Sequence, residues 1–230
     1  MLNLSESAEF TKPNDDCLAS YVLEMLTAIQ VDNLTPFFDD LPMDPYLEGG
    51  YRFRRLSHFK VVGDRLIQLP HRRLFQSKTY NPLLGDVIRE YAELDDRLIQ
   101  LEAMQRVIWE FFQFCKLCST STEIAVHQIR TTASLQQAGN PAPEGIHRDG
   151  VDLVGIFSVN RRGVEGAETH LYTSNREQPA FSKVLNPGEF LVFKDDQYFH
   201  YTSPIHAVTA QGVRDVFVLT CPGLFPPDEQ

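Results

Sequence analysis

Past residue 120 the apolar positions come in short runs rather than long stripes. EIAVHQIRTT, DLVGIFSVN, ETHLYTS, AFSKVL, EFLVFKD, HAVTA and VRDVFVLTC follow one another, separated by the turn clusters NPAPEG, RRGVEG, NPGE and KDDQ. β-Branched and aromatic residues fill the runs, while Gly, Pro, Asn and Asp fill the gaps. Closely spaced strands of this kind predict a double-sheet jelly roll or barrel. The N-terminal half reads differently. Asp15-Asp16 can cap a helix through about Val31, with Leu18, Val22, Met25 and Ile29 at three- and four-residue spacing. LPMDPYLEGGYR (41–52) is turn-rich, and HFKVV and RLIQL read as two strands around Gly63-Asp64. Residues 94–117 form the strongest helix: Leu101, Met104, Ile108, Phe111 and Cys115 make one apolar stripe, suited to packing on a sheet. No internal repeat, low-complexity tract or linker interrupts the chain. The expectation is therefore one domain over 1–230, α+β but mainly β, in which residues 1–120 brace a core barrel at 121–222.

Composition narrows the class. A chain of 230 residues with 43% hydrophobic content and 16 phenylalanines is expected to form a globule with a sizeable core. The formal net charge of −10 argues against a nucleic-acid or anionic-membrane surface, since both need clustered Lys and Arg. It leaves room for a locally basic pocket that takes a small acid. The first 20 residues lack a basic n-region and a long apolar h-region, and no stretch approaches 18 uninterrupted apolar residues. A cytoplasmic location without a membrane partner is the expectation. Cys17, Cys115, Cys118 and Cys221 are too few and scattered for a disulfide framework. The C-x-x-C at 115–118 lies in the expected helix with no second ligand pair nearby, and is read as reduced thiols.

Candidate chemistry lies in PAPEGIHRDGVD (141–152). Residues two apart on a strand share a face, so His147 and Asp149 can aim at one point while Arg148 points away. Imidazole and carboxylate both suit a divalent first-row metal. A second histidine would complete a two-histidine, one-carboxylate set that leaves three positions open on non-haem Fe(II). Downstream, DDQYFHYTSPIHAV offers His200 and His206. VRDVFVLTC sets Arg214 at the head of a buried-looking strand. A guanidinium facing an apolar barrel is costly unless paired, and a bound dicarboxylate can pair it through a bidentate contact. His200 is the expected third ligand and His206 the alternative.

Taken together, H147-x-D149, His200 and Arg214 resemble the iron- and 2-oxoglutarate-dependent oxygenases, whose fold is a double-stranded β-helix (jelly roll, cupin-like). EGIHRDGVD, HYTSPI and RDV, with HQIR (127–130) and QSKTYNPLLGDVIREY (76–91), are similar to the bacterial isoleucine dioxygenase-like group that hydroxylates free amino acids. The likeness runs from about residue 50 to 222. It implies Fe(II) held by His147, Asp149 and His200 as the catalytic centre, with Arg214 binding the far carboxylate of 2-oxoglutarate. It further implies O2 as cosubstrate, stimulation by ascorbate, and hydroxylation of a small molecule with release of succinate and CO2. Many members of the wider superfamily place Ser or Thr two residues after the arginine. Here that residue is Val216, and Thr202, Ser203 and Thr220 are open as replacements.

A free L-amino acid needs a cation for its carboxylate and an acceptor for its ammonium. Arg130 is the leading carboxylate partner, and Glu144 and Asp152, which flank the ligand motif, are candidates for the ammonium. Arg52 and Arg54 share one strand face and either line the pocket or decorate the surface; His127 and His170 are read as structural. Two other readings stay open. One is the same chemistry on a tethered or specialised-metabolite substrate, and the other is a non-catalytic cupin-like module that binds a small acid or a metal. Zn(II) in the same set ranks last, because such sites more often use three histidines, or histidine with cysteine. The sequence leaves open whether two copies pair as a homodimer.

Overall fold

The computed structural model describes residues 20–173 and 177–226. Within them, short 3-10 turns at Val31–Asn33 and Thr35–Phe38 follow strand β1 (Tyr21–Met25). Next come β2 (Arg52–Val62), β3 (Arg65–Gln68), the helices α1 (Asp96–Ile99) and α2 (Glu102–Cys118), and β4 (Glu123–Ser134). The rest is strand: β5 (Leu153–Arg162), β6 (Val164–Gly166), β7 (Glu168–Tyr172), β8 (Pro179–Val184), β9 (Glu189–Lys194), β10 (Phe199–Thr202), β11 (Ile205–Ala207) and β12 (Gln211–Cys221). A large antiparallel sheet runs β1-β9-β5-β12-β4-β2-β3, accompanied by smaller sheets β10-β7-β8 and β11-β6. This is the expected jelly roll, mainly β, with its helix laid on the outside.

The large sheet is buried on both faces. Along β12, Phe217, Leu219 and Cys221 join one apolar cluster with Met104, Val107, Ile108, Phe111 and Cys115 of α2. Val216 belongs instead to the barrel-side cluster with Val154, Ile156, Leu171, Leu191 and Phe193. Strand alternation thus sends one set of side chains to the helix and the other into the barrel. Gly155 sits where the helix comes closest: a Cβ there would lie 2.8 Å from the Phe111 ring and 2.9 Å from Phe190. Gly155→Val is expected to lower unfolding free energy by about 1–3 kcal/mol, the ordinary cost of overpacking a core, as read by denaturant titration.

Two expected elements are corrected. The helix through Val31 is replaced, over its described part, by strand β1, whose residues pair with Phe193 to Glu189 of β9; Asp15, Asp16 and Leu18 lie outside the described residues, as does Cys17. Tyr21 and Leu23 pack on the barrel-side cluster. Covering the β9 edge outweighs a helical period that is only four residues deep. The helix expected at 94–117 is two helices. Asp95 caps the first through the Arg97 amide, and Leu101 turns extended (ψ 132°) before the second. Cys115 and Cys118 both lie in α2, and neither forms a disulfide.

Candidate metal centre and cavity

A single backbone bridge creates the centre. The His147 amide donates to the His200 carbonyl (3.1 Å) and the His200 amide to the His147 carbonyl (2.8 Å). The two imidazoles are thereby set 4.2 Å apart. Asp149 follows on the same side, with its carboxylate 3.7 Å from His147 Nε2 and 3.8 Å from His200 Nε2. One ligand atom from each of the three lies within 4.8 Å of the others. The chain turns away immediately afterwards at Gly150, whose φ of +84° and contact with the Tyr80 ring (2.6 Å from a Cβ) leave no room for a side chain.

Neighbouring groups aim these three side chains. His147 Nδ1 lies 2.9 Å from the Gly145 carbonyl, which can only accept, so Nδ1 carries the proton and Nε2 is free for a metal. Gln76 Nε2 donates to Asp149 Oδ1 (2.9 Å). Asp195 accepts from the backbone amides of Asp149, Gly150 and Val151 and pins the loop. Burial, with Asp149 beside it, raises the Asp195 carboxyl to about 7. Burial pushes His147 down, but Glu144 and Asp149 more than offset this and its pKa stands above the ordinary histidine value. Burial, followed by His147, holds His200 well below that value, so its imidazole is neutral and able to ligate. Two imidazoles and a carboxylate oriented this way fit a divalent first-row metal, whose charge would also offset the crowding of Asp149 against Asp195.

The three face an open cavity. Its wall is read off the register of β2, β4 and β12. Arg52, Thr131 and Arg214 form one row across the three strands, and Arg54, Ile129 and Val216 form the next. Directly opposed residues share a face, and all six line the cavity. Arg214 is 5% exposed and makes no salt bridge among the described residues; burial, then the nearby Arg161, lowers its pKa to about 10. A bulge between Asp215 and Val216 sets Arg161 opposite it. Thr131 is fully buried and its Oγ1 makes no hydrogen bond.

Several sequence expectations meet this wall differently. Arg130 is corrected. It lies one residue out of phase with Ile129 and Thr131, so it leaves the cavity and binds Asp215 through Nε (2.6 Å) and Nη2 (2.9 Å), and Asp39 through Nη1 (2.8 Å). Asp152 is corrected too: beyond the Gly150 turn it is exposed and accepts from Ser119 Oγ (2.6 Å) at the end of α2. Glu144 does line the cavity, with Oε1 3.3 Å from His147 Nε2. Arg148 stacks on Phe199 at 4.2 Å, away from the centre. His206 is exposed on β11, opposite Glu165. Of the open partners for Arg214, Thr202 lines the cavity and bonds Thr169 (3.2 Å), and Ser203 Oγ accepts from the Glu168 amide. Thr220 lies six residues along β12 from Arg214, about 20 Å away. His170 bonds Ser182, but His127, read as structural, lines the cavity. Gln76, Arg89, Thr131 and Asp195 were not singled out by the sequence reading; the polar density of QSKTYNPLLGDVIRE is the signal that could have found the first two.

A jelly roll with two histidines, one carboxylate and a buried arginine on its cavity has the donor set of a mononuclear non-haem iron oxygenase. The family model for 2OG-Fe dioxygenases matches residues 35–220, and the chain belongs to that family. Fe(II), 2-oxoglutarate and O2 are the cofactor and cosubstrates the family implies. Among characterised relatives, the chain is 26% identical to an L-isoleucine-4-hydroxylase from Bacillus thuringiensis over 153 residues, which are 64% of this chain and 63% of that protein. It therefore spans slightly under two thirds of that relative's length. A 3(1)-hydroxy-L-isoleucine 4-dioxygenase from Pantoea ananatis is 22% identical over 196 residues, 81% of this chain and 75% of that one. A solved structure of a bsmA homolog from Methylobium petroleophilum PM1 is 30% identical, with a TM-score of 0.74 over 85% of this chain and 82% of that one. No helix among the described residues is long and apolar enough to cross a membrane.

Proposed function

We propose that this protein hydroxylates a free L-amino acid or a similar small molecule. His147, Asp149 and His200 hold Fe(II), and Arg214 with Thr131 holds the far carboxylate of 2-oxoglutarate. The observation that carries the reading is one cavity lined by both the three-ligand cluster and a buried, unpaired arginine. A metal-binding module has no use for that second feature. The two amino acid hydroxylases among the relatives support the substrate class. Bound iron supplies the dioxygen chemistry, in which 2-oxoglutarate is oxidised to succinate and CO2 and one oxygen atom enters a C–H bond of the substrate.

The chain's own residues bind, orient and exclude water. Gln76 and the Gly145 carbonyl fix the ligand side chains, while Ile129, Val154, Ile156, Val216 and Val218 give the cavity an apolar wall. Glu144, beside His147, is the acceptor for the substrate ammonium. Gln76→Ala is expected to weaken Fe(II) binding or turnover about 10- to 100-fold, as for other groups that orient a ligand. Metal titration of the anaerobic protein measures it, and an unchanged affinity would deny Gln76 that role.

The test of the reading is succinate release from 2-oxoglutarate under air with Fe(II) and ascorbate, across the free L-amino acids, with products weighed for an added oxygen. Stimulation by one or a few amino acids with a matching oxygenated product establishes it. A slow, panel-independent rate would shift the substrate to something tethered or larger. Iron binding with no succinate would favour the binding module.

A further inference from the structure

The cavity contains more positive charge than a 2-oxoglutarate site needs. In a chain of net charge −10, Arg52, Arg54, Arg89 and Arg214 line it, against Glu144 and Asp149. Arg52 is neutralised by Asp44, 2.9 Å from its Nε. Arg214 is taken up by the far carboxylate of 2-oxoglutarate. That leaves Arg54 and Arg89, 8% and 2% exposed, and neither has a carboxylate partner among the described residues.

What they do touch is uncharged. Arg54 Nη2 is 2.5 Å from His127 Nδ1. A guanidinium only donates, so that nitrogen accepts, and the fully buried imidazole is held neutral by burial and by Arg54 itself. The Arg54 guanidinium also lies 4.6 Å over the Tyr91 ring. Arg89 Nη2 donates to Gln76 Oε1 (2.8 Å). The Nε of each arginine is buried and makes no hydrogen bond. Buried charge without a partner is costly enough that it is normally compensated, and here the compensation must come from what enters the cavity. Its position is set by Gln76, which accepts from Arg89 and donates to Asp149. Arg89 is thus two hydrogen bonds from a metal ligand, and a small acid held there keeps its carbons beside the centre.

We propose that Arg54 and Arg89 form a second carboxylate site, separate from Arg214, which binds the α-carboxylate of the primary substrate. This rests on the hydroxylase reading for its purpose, but not for its test. The site selects against amines, amides and esters of the same carbon skeleton, because these leave two buried cations unpaired.

The experiment is calorimetric titration of the full chain loaded with Mn(II), which does not turn over, and with 2-oxoglutarate. The probes are L-isoleucine, its decarboxylated amine 2-methylbutylamine, and then the remaining free L-amino acids and their deaminated acids. The parent should bind a carboxylate-bearing probe at least about 10-fold more tightly than its amine, and Arg54→Met or Arg89→Met should lose about 10- to 150-fold for the acid, the worth of a hydrogen bond to a charged group. The 2-oxoglutarate Kd should move far less. Arg54→Lys and Arg89→Lys decide should a methionine variant unfold; each should retain part of the acid affinity. Equal affinity for acid and amine, no binding of any carboxylate probe, or loss of 2-oxoglutarate in place of the acid would overturn the proposal. Succinate release judges the hydroxylase reading separately. Acid binding without succinate keeps this site and removes that reading, while succinate without acid binding does the reverse.

Discussion

Replacing His147, Asp149 or His200 with alanine is expected to remove bound Fe(II) and bring succinate release to background. His206→Ala should leave both within about twofold of the parent, the ordinary range for an exposed substitution. The contrast follows from the strands. His200 is tied by two backbone hydrogen bonds to the strand segment carrying His147, and its Nε2 stands 3.8 Å from Asp149. His206 sits exposed on β11 in the two-stranded sheet with β6. Each of the three ligands contributes one donor, and none of the aiming groups replaces a lost one: Gln76 offers an amide, and Asp195 is occupied by three backbone amides. Iron content after anaerobic reconstitution, measured beside succinate, separates a lost ligand from a lost substrate contact. Parental turnover in His200→Ala with loss in His206→Ala would move the third ligand to β11.

The strand series, the apolar stripe of α2 and the H-x-D motif were legible because each is a short-range pattern with a period set by its own backbone. The facing of individual strands was not. β4 reads EIAVHQIRTTAS, apolar on both parities, because one face packs in the outer cluster beneath the 3-10 turn at Thr35–Phe38 and the other lines the barrel. Without a polar face to set the phase, Arg130 and Thr131 were interchangeable in the sequence, and the inward one is Thr131. Asp152 failed for another reason: it flanks the motif in sequence, but the turn at Gly150, with its positive φ, carries the chain from the centre towards Ser119. The groups farthest from legibility were Gln76 and Arg89. They come from a loop folded on itself by tight backbone contacts, such as Gly85, where a Cβ would lie 2.3 Å from Lys78 Cα. No periodicity announces such a loop, only its density of polar residues.

Arg214→Met is expected to raise the Kd for 2-oxoglutarate about 10- to 150-fold, because a buried carboxylate loses a charge-assisted, bidentate partner. Thr131→Val should raise it less, about 2- to 10-fold, the worth of one neutral donor. The visible charge-transfer absorption of the anaerobic Fe(II) complex reads both constants without turnover. Because Thr131 stands directly across from Arg214 in the β4–β12 register, both are expected to act on the same carboxylate. The double variant should then cost less than the two single losses combined, as expected for groups sharing one partner. Arg214→Lys discriminates further. A lysine keeps the charge but not the planar fork, so an intermediate affinity assigns the remainder to geometry, whereas full affinity would mean that a point charge suffices. Parental affinity in Thr131→Val would send the second donor to another neighbour of Arg214. The group then placed for it is Arg161, which faces Arg214 across the bulge with a buried Nη1 that makes no hydrogen bond. An Arg161→Met variant would then show the loss that Thr131→Val did not.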